Sequence, residues 1–410
     1  MKDYQIHTLP NGIRLVHHQV AYSKISHCGF ILNIGSRDEQ ESEIGIAHFW
    51  EHMAFKGTEK RKSFQILNRL DAVGGDLNAY TTKEKICFHA SVLNPHLEKA
   101  VELLSDITFH SIFPEKEIQK ERFVILEEMS MYADDPADAI HDQLDEIMYP
   151  NHSLGKNILG TTESVKSFDR NHFLSFIKKN LNNEQIIFSS VNAFPMEMMI
   201  KLAEKYFVNI DKHDAILERK PFTNYKPVQL SIKKPISQAH CMLAVPAYSL
   251  NHDKQLPFYL LTNLLGGVGM NSRLNMSLRE KYGLVYAIEA NYTTFVDSGL
   301  FSVYFATDPN NIHKGMDLIF KELRKLKEKP FGTMQLHKIK QQLMGQLAMN
   351  EENKLGEMLM MGKSLLDLGE IETLDEVFEK IELLKANDLQ EIAQEIFDEK
   401  QFSQLIYSPV

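Results

Sequence analysis

The amino-acid sequence predicts an α+β fold with two related domains, each an antiparallel-rich β-sheet with helices packed on one face. The 410 residues exceed the size at which one hydrophobic core stops growing, so more than one domain is expected. Segments that alternate like strands are interleaved with segments of helical period. The same order of segments (strand, helix, paired strands, helix) occurs in each half of the chain, which indicates a duplicated unit.

The predicted elements follow the same order in both halves. In the first half they are a strand at 25–34, a helix at 44–55, a glycine-bearing stretch at 74–80, a strand at 85–93 and helices at 95–110 and 115–131. In the second half they are a strand at 236–245, a helix at 255–265, paired strands at 286–292 and 299–307, and helices at 311–326 and 334–368. The stretch at 208–226 is polar, contains proline and has no clear period, as a domain junction does. We therefore expect domains at 1–212 and 213–410.

Composition and charge exclude several classes of function. The formal net charge is −10, whereas nucleic-acid partners require a basic surface. Three cysteines, Cys28, Cys87 and Cys241, are too few and too scattered for a disulfide framework. No run approaches the roughly 18 apolar residues of a membrane-spanning helix, and the N-terminal segment lacks the apolar core of a secretory signal. We therefore expect a cytoplasmic protein, or the mature form of a protein processed earlier, with neither nucleic acid nor membrane as a partner.

The most informative segment lies in the predicted helix at 44–55, where His48, Glu51 and His52 occur together. Residues four apart lie on the same face of a helix, so His48 and His52 can bind one tetrahedral zinc ion. Glu51 borders that face, from which it can take a proton from a water molecule on the metal. The spacing predicts a metal centre; the alternative is that both histidines are structural and Glu51 is a surface charge.

A third ligand is needed, because catalytic zinc has three protein ligands and one open position. Glu121 and Glu128 are two helical turns apart, so they share one face of the helix at 115–131. Glu127 points about 100° away from Glu128. Two carboxylates on one face of an apolar-periodic helix indicate that a cation or a donor meets them, although a solvated acidic face is the alternative.

With these residues identified, the chain resembles the pitrilysin and insulin-degrading enzyme superfamily, whose zinc motif has the same His-x-x-Glu-His order. Within the superfamily it is most similar to mitochondrial processing peptidase β subunits and small bacterial peptidases. The resemblance covers nearly the whole chain. The matching motifs are Leu9-Pro10-Asn11-Gly12, 35–39, 48–57, Gly74-Gly75 with Asn78-Ala79, Glu121-Arg122 with 124–128, Asp134-Asp135-Pro136, Leu159-Gly160, Ser272-Arg273-Leu274, and 278–281 with Gly283, Leu284 and Tyr286.

The resemblance implies a role for each residue of the zinc motif. His48, His52 and Glu128 would be the ligands of one zinc ion per chain, and Glu51 would be the general base. Glu121 would steady the site from behind the ligands. The second half has no zinc motif of its own, so the domain at 1–212 is expected to be catalytic and the domain at 213–410 to cover substrate.

The resemblance also implies how substrate is held. Asn78 and Ala79 would lie on an edge strand to which the peptide adds as a further strand, although Asn78 alone would be interpreted as a turn residue. Arg279 and Tyr286 resemble a pair that binds substrate carbonyls and stabilises the oxyanion. Arg273 competes with Arg279 for that role, and an ion pair of Arg279 with a neighbouring acid is the structural alternative.

The expected function is that of a zinc metalloendopeptidase that hydrolyses short extended or unfolded peptides inside an enclosed chamber. Because relatives build this chamber from four such domains and this chain supplies two, a second chain is needed. A homodimer is the simplest arrangement, and a heterodimer with a related subunit is the alternative. Some proteins of this fold are non-catalytic structural or assembly subunits of peptidase-like complexes, and that is the alternative function.

Overall fold

The computed structural model describes residues 4–410, which divide into two compact units. The first contains the chain up to Met129 together with Lys156–Arg219 and Met349–Thr373. The second contains Ser130–Gly155, Lys220–Ala348 and Leu374–Val410. The domains expected at 1–212 and 213–410 stay a prediction. The compact units differ from them because each unit also includes a segment from the other half of the chain.

The first unit is built on a six-stranded β-sheet. Its strands are β1 (Tyr4–Thr8), β2 (Arg14–Gln19), β3 (Ile25–Leu32), β4 (Asp76–Thr81), β5 (Ile86–Leu93) and β6 (Ile186–Asn192). They are arranged in the order β1-β2-β6-β3-β5-β4, with β2 and β6 parallel and the other neighbours antiparallel. Within the described residues β4 pairs with β5 alone, so β4 forms an edge of the sheet.

Fourteen α-helices lie in the described part of the chain, along with a π-helix at Asn275–Lys281 in the second unit. None of them is both long enough and apolar enough to cross a membrane. In chain order the α-helices are α1 (Ile46–Ala54), α2 (Ser63–Asp71), α3 (Leu97–Phe109), α4 (Glu115–Asp134), α5 (Pro136–Met148), α6 (Thr162–Ser167), α7 (Arg170–Asn180), α8 (Met196–Tyr206), α9 (Gln255–Gly266), α10 (Ile312–Glu328), α11 (Thr333–Glu351), α12 (Lys354–Asp367), α13 (Leu374–Leu383) and α14 (Ala386–Ile396).

One face of the first sheet carries the main core of its unit. Phe30 of β3 lies in register with Phe88 of β5 and Phe188 of β6, and all three rings are buried. Phe49 and Trp50 of α1 are fully buried in the same core. Because each buried aromatic side chain removes about 150–250 Å² from water, α1 is held firmly against the sheet.

The opposite face of the first sheet is covered by α12, a helix from the second half of the chain. Met358 and Met361 of α12 pack in a separate apolar cluster with Ile31 of β3. A Cβ at Gly362 would lie 2.4 Å from Cδ1 of Ile31 and 3.1 Å from Cβ of Ser189. The absence of a side chain at Gly362 therefore lets α12 approach the sheet this closely.

The second unit repeats this architecture. Its strands are β7 (Gln229–Lys234), β8 (Ala239–Ala247), β9 (Val285–Thr294), β10 (Gly299–Thr307) and β11 (Ser403–Pro409). Their order is β7-β11-β8-β10-β9, with one parallel pair, β7 and β11, as β2 and β6 are in the first sheet. Helix α5, from the first half of the chain, packs against β8 and β11. The predicted α+β class with two related domains is confirmed.

Candidate active site

Gly45 and Glu39 determine where helix α1, which carries the His-x-x-Glu-His motif, begins. Gly45 precedes it with φ of 94°, a left-handed conformation that favours glycine. A Cβ at Gly45 would lie 2.6 Å from Cα of Gly160, so the two glycines allow a close approach of their chain segments. The Glu39 carboxylate accepts hydrogen bonds from the amides of Gly45 and Ala47, each at 2.9 Å. These bonds satisfy amides at the helix N-terminus and fix where α1 starts.

The structure brings His48, His52 and Glu128 together, and within residues 4–410 they form one group that could hold a metal ion. The Nε2 atoms of His48 and His52 are 3.2 Å apart. Oε2 of Glu128 lies 3.5 Å from Nε2 of His52 and 3.8 Å from Nε2 of His48. Ligands placed about 2.0–2.1 Å from a tetrahedral zinc ion are about 3.4 Å from one another. The three side chains therefore fit zinc with only small adjustments.

Glu121 lies behind His52, on the side away from Glu128. Its Oε1 is 3.0 Å from Nδ1 of His52, and its Oε2 is 2.6 Å from Nζ of Lys56. Burial raises the pKa of Glu121, but the hydrogen bonds from His52 and Lys56 outweigh burial and leave the pKa below its usual value. A carboxylate that accepts from Nδ1 holds the ring so that Nε2 is free to bind a metal. The position of Glu121 agrees with the supporting role expected for it.

His48 is held mainly by burial. Burial, followed by the neighbouring His52, lowers the pKa of His48 to about 3, so its ring is neutral near pH 7. The neutral ring is the form that binds a metal. Nδ1 of His48 is buried and finds no hydrogen-bond partner among the described residues. His48 therefore lacks the support that Glu121 gives to His52.

Glu51 lies beside the three candidate ligands and contacts the edge strand β4. The hydroxyl of Thr81 donates to Oε2 of Glu51 at 2.6 Å. Burial raises the pKa of Glu51, and the Thr81 hydrogen bond and the charge of His52 oppose this shift only in part. This arrangement leaves Glu51 outside the group of ligands, as a base would be. Its role as the base stays a prediction.

Two residues of the site, Lys56 and Thr81, were not identified from the sequence. Lys56 lies beyond the end of α1 at Ala54, so the helical spacing that pairs the two histidines gives no signal for it. Thr81 gives no signal either, because its contact with Glu51 depends on how β4 passes α1. Such a contact between elements is not encoded in local periodicity.

Asn78 and Ala79 lie on β4, which is the edge strand that the resemblance implied. Asn78 is exposed, and its Oδ1 accepts a hydrogen bond from the amide of Ala79 at 2.8 Å. Ala79 is half-buried against the core shared with α1. The edge is therefore present where a peptide could add, and the binding role of both residues stays a prediction.

Arg279 and Tyr286 lie together in the second unit. The guanidinium carbon of Arg279 is 5.4 Å from the ring centroid of Tyr286, whose side chain is 85% exposed. Arg279 also approaches Glu280, with Nε and Oε1 3.6 Å apart. The competing Arg273 instead stacks on Phe331, at 5.4 Å from the ring centroid. The choice between Arg279 and Arg273, and the catalytic role of Arg279 with Tyr286, stay predictions.

Comparison with known proteins gives two matching family models. Residues 14–162 match the model described as insulinase, peptidase family M16, and residues 167–343 match the model described as the peptidase M16 inactive domain. The chain is 33% identical to the uncharacterized zinc protease YmxG of Bacillus subtilis over 96% of this chain and 95% of that protein. It is 34% identical to an uncharacterized zinc protease of Rickettsia felis over 97% of this chain and 95% of that protein.

Solved structures share the same fold. A protease from Helicobacter pylori matches with a TM-score of 0.90 and 21% identity, over 99% of both chains. A peptidase M16 inactive domain from Pseudomonas fluorescens matches with a TM-score of 0.91 and 16% identity, over 100% of this chain and 98% of the other. The similarity to processing peptidase β subunits stays a prediction. The two family models and the 33% identity to the Bacillus subtilis zinc protease show that the chain belongs to the insulinase family of peptidases, family M16.

Proposed function

We propose that this chain is a zinc metalloendopeptidase that cuts short extended or unfolded peptides. The observation that supports the proposal most directly is the spacing of His48, His52 and Glu128, whose three donor atoms lie 3.2–3.8 Å apart. Relatives that align with nearly the whole chain carry the name zinc protease. Two imidazoles and one carboxylate form a known set of ligands for catalytic zinc.

The residues around these ligands divide the chemistry between them. A bound zinc ion would supply polarisation of the scissile carbonyl and acidification of a water molecule. Glu51 accepts the proton that this water loses and passes it to the leaving amine. Thr81 holds the Glu51 carboxylate in place through its 2.6 Å hydrogen bond, so the base does not have to be ordered when substrate arrives.

The edge strand β4 is the reason why extended peptides are the proposed substrates. Only β5 pairs with β4 among the described residues, so the outer side of β4 can form main-chain hydrogen bonds to a further strand. A folded protein rarely presents a free extended segment, whereas a short or unfolded peptide does. Asn78 and Ala79 lie at the centre of this strand and would contact the added peptide.

A second chain completes the enclosure in this proposal. Two chains would provide the four domains of a closed chamber, most simply as a homodimer, with one zinc ion per chain. Arg279 and Tyr286 would then approach substrate at a zinc site and stabilise the developing oxyanion. The exposure of Tyr286, 85% in this chain, agrees with a side chain that meets a partner or a substrate.

Zinc analysis and peptide cleavage test the proposal together. We expect about one zinc ion per purified chain, and we expect cleavage of a set of quenched fluorescent peptides to stop when a chelator removes the metal. Glu51→Gln should retain zinc and peptide binding while kcat falls about 10²–10⁴-fold, the usual contribution of a general base. A protein that is purified without zinc and cuts no peptide would instead be the non-catalytic assembly subunit. Normal cleavage by Glu51→Gln would remove Glu51 from the mechanism.

A further inference from the structure

A second polar cluster lies on the face of the first sheet that α12 covers. It consists of Tyr80 on β4, His89 on β5 and Lys363 on α12. Nζ of Lys363 lies 4.9 Å from the ring centroid of Tyr80, and the rings of Tyr80 and His89 are 6.3 Å apart. Tyr80 packs with the apolar cluster of α12, whereas its neighbour Ala79 packs with the core on the α1 side. The cluster is therefore separated from His48 and His52 by the sheet, but it reaches the same edge strand.

Two side chains of this cluster, Lys363 and His89, offer donors that the described residues leave without acceptors. Lys363 makes neither a hydrogen bond nor an ion pair within residues 4–410, and the nearby Asp367 is paired with Lys85 at 2.8 Å. Nδ1 of His89 is buried without a hydrogen-bond partner in the same part of the chain, and the buried hydroxyl of Tyr80 meets only the Cys87 thiol, a weak hydrogen-bond partner. Buried polar groups are normally paired, so a cluster of unpaired donors indicates that an acceptor joins it.

The electrostatics of the cluster favour an anion as that acceptor. Burial lowers the pKa of Lys363, the nearby Lys85 adds to this decrease, and the Cys87 thiol and Asp367 oppose it. The pKa of His89 is lowered by burial and by Lys363, while the exposed Asp76 acts in the opposite direction. Half-buried Lys363 is therefore a cation that the protein offsets only in part, through the Tyr80 ring and the charge of Asp367. A carboxylate would supply the missing negative charge and accept hydrogen bonds.

The geometry of β4 determines where such a carboxylate would come from. A peptide that adds to β4 lies about 4.8 Å beyond it, and every second side chain of that peptide points to the α12 face. We propose that Tyr80, His89 and Lys363 form a subsite that binds the carboxylate of an aspartate or glutamate side chain in the peptide substrate. This inference rests on the peptidase function proposed above and adds to it a substrate preference.

Paired peptides test the subsite. Each pair is identical except for glutamate or glutamine at one position, and the position is varied across both sides of the cleaved bond. We expect wild-type protein to cut the glutamate peptide with a kcat/KM about tenfold higher at one position, the effect of one partly screened charge-assisted hydrogen bond. The ratio of glutamate to glutamine cleavage should fall to about 1 in Lys363→Gln, remain in Lys363→Arg and fall below 1 in Lys363→Glu.

Lys354→Gln is the matched control, because it removes the same charge from the same helix. Lys354 is ion-paired with Glu357 at 3.0 Å and has no part in the cluster, so the glutamate preference should not change. Binding gives a second readout that does not need turnover. In the Glu51→Gln background the glutamate peptide should bind about tenfold more tightly than its glutamine partner, and Lys363→Gln should abolish this difference.

The outcomes separate the subsite from the function on which it rests. If wild-type protein cuts peptides without a glutamate preference at any position, the subsite is wrong and the peptidase function stands. The same conclusion follows if the preference survives in Lys363→Gln, or if Lys354→Gln abolishes it. If the wild-type protein cuts no peptide at all, the peptidase function fails, and the subsite fails with it.

Discussion

At the scale of single residues, the two histidines of the candidate site are supported in different ways. His52 is oriented by Glu121, which is itself held by Lys56 at 2.6 Å. His48 has burial but no partner for Nδ1 among the described residues. The chain Lys56–Glu121–His52 therefore carries most of the hydrogen bonding that fixes the ligands before a metal arrives. This asymmetry has a measurable consequence for metal affinity.

We predict that Glu121→Gln weakens zinc binding about 10–100-fold while the three candidate ligands remain in place. The amide keeps the shape of the carboxylate but loses its charge. His52 is then oriented less firmly, and its Nε2 becomes a weaker ligand for the metal. Competition with a chromogenic chelator measures the dissociation constant directly. The measurement does not depend on any assay of activity.

Glu127→Gln is the control for this prediction, since it removes a carboxylate from the same helix, one residue before Glu128. Glu127 is exposed, and its substitution should leave zinc affinity unchanged. Equal zinc affinity in wild type and Glu121→Gln would show that Glu121 has no part in metal binding. Equal losses in both variants would show that the overall acidity of α4 is what matters.

At the scale of elements, α12 determines what the first sheet presents on its second face. The helix reaches that face only because Gly362 has no side chain, and it brings Lys363 to within 4.9 Å of the Tyr80 ring. Ser189 also donates a hydrogen bond to the main-chain oxygen of Met358 at 2.6 Å. The packing of one helix thus places a cation next to the edge strand.

We predict that Gly362→Leu lowers the free energy of unfolding by about 1–3 kcal/mol, because the added side chain fits between α12 and Ile31 only if its neighbours move. Urea denaturation measures the loss, and hydrogen exchange across α12 shows whether the helix has detached. Gly345→Leu in α11 is the control, since no atom lies within 4 Å of the Cβ position there. That variant should keep or gain stability, by up to about 1 kcal/mol from helix propensity. Equal stability of both variants would contradict the close approach at Gly362.

The sequence predicted several of the elements that have a strong local pattern, but among the described residues it missed five strands and seven helices, α2, α5, α6, α7, α8, α13 and α14. The helix of the His-x-x-Glu-His motif was expected at 44–55 and spans Ile46–Ala54. Residues 334–368 were expected as one helix, but helix α11 ends at Glu351 and a second helix follows. Asn353 caps the start of α12, where its side chain accepts a hydrogen bond from the amide of Gly356. Because α12 joins the first unit only through tertiary packing, periodicity could not place it there, and Lys363 could not be identified as part of a site. The strands that were not predicted are β1, β2, β6, β7 and β11.

At the scale of the whole molecule, the two related units share an architecture and differ in the side chains that they carry. The order β2-β6-β3-β5-β4 across the first sheet corresponds to the order β7-β11-β8-β10-β9 across the second. Both β4 and β9 are edge strands within the described chain. The helix that corresponds to α1 is α9, which contains neither histidine nor glutamate. The second unit instead carries Arg279 on a π-helix and Tyr286 on β9. π-helices occur often at functional sites, which agrees with a role for this unit in the reaction.

Mixing two inactive variants tests whether Arg279 serves the zinc site of a second chain. Glu51→Gln leaves a chain with an intact Arg279, and Arg279→Ala leaves a chain with an intact Glu51. If the residues act across a homodimer, random exchange of equal amounts should restore about a quarter of wild-type activity, because half of the dimers are mixed and each contains one complete site. A mixture of Glu51→Gln with His48→Ala is the control, since no arrangement of those chains completes a site. If neither mixture recovers although exchange is complete, Arg279 acts within its own chain. A wild-type monomer that stays active on dilution would remove the need for a partner.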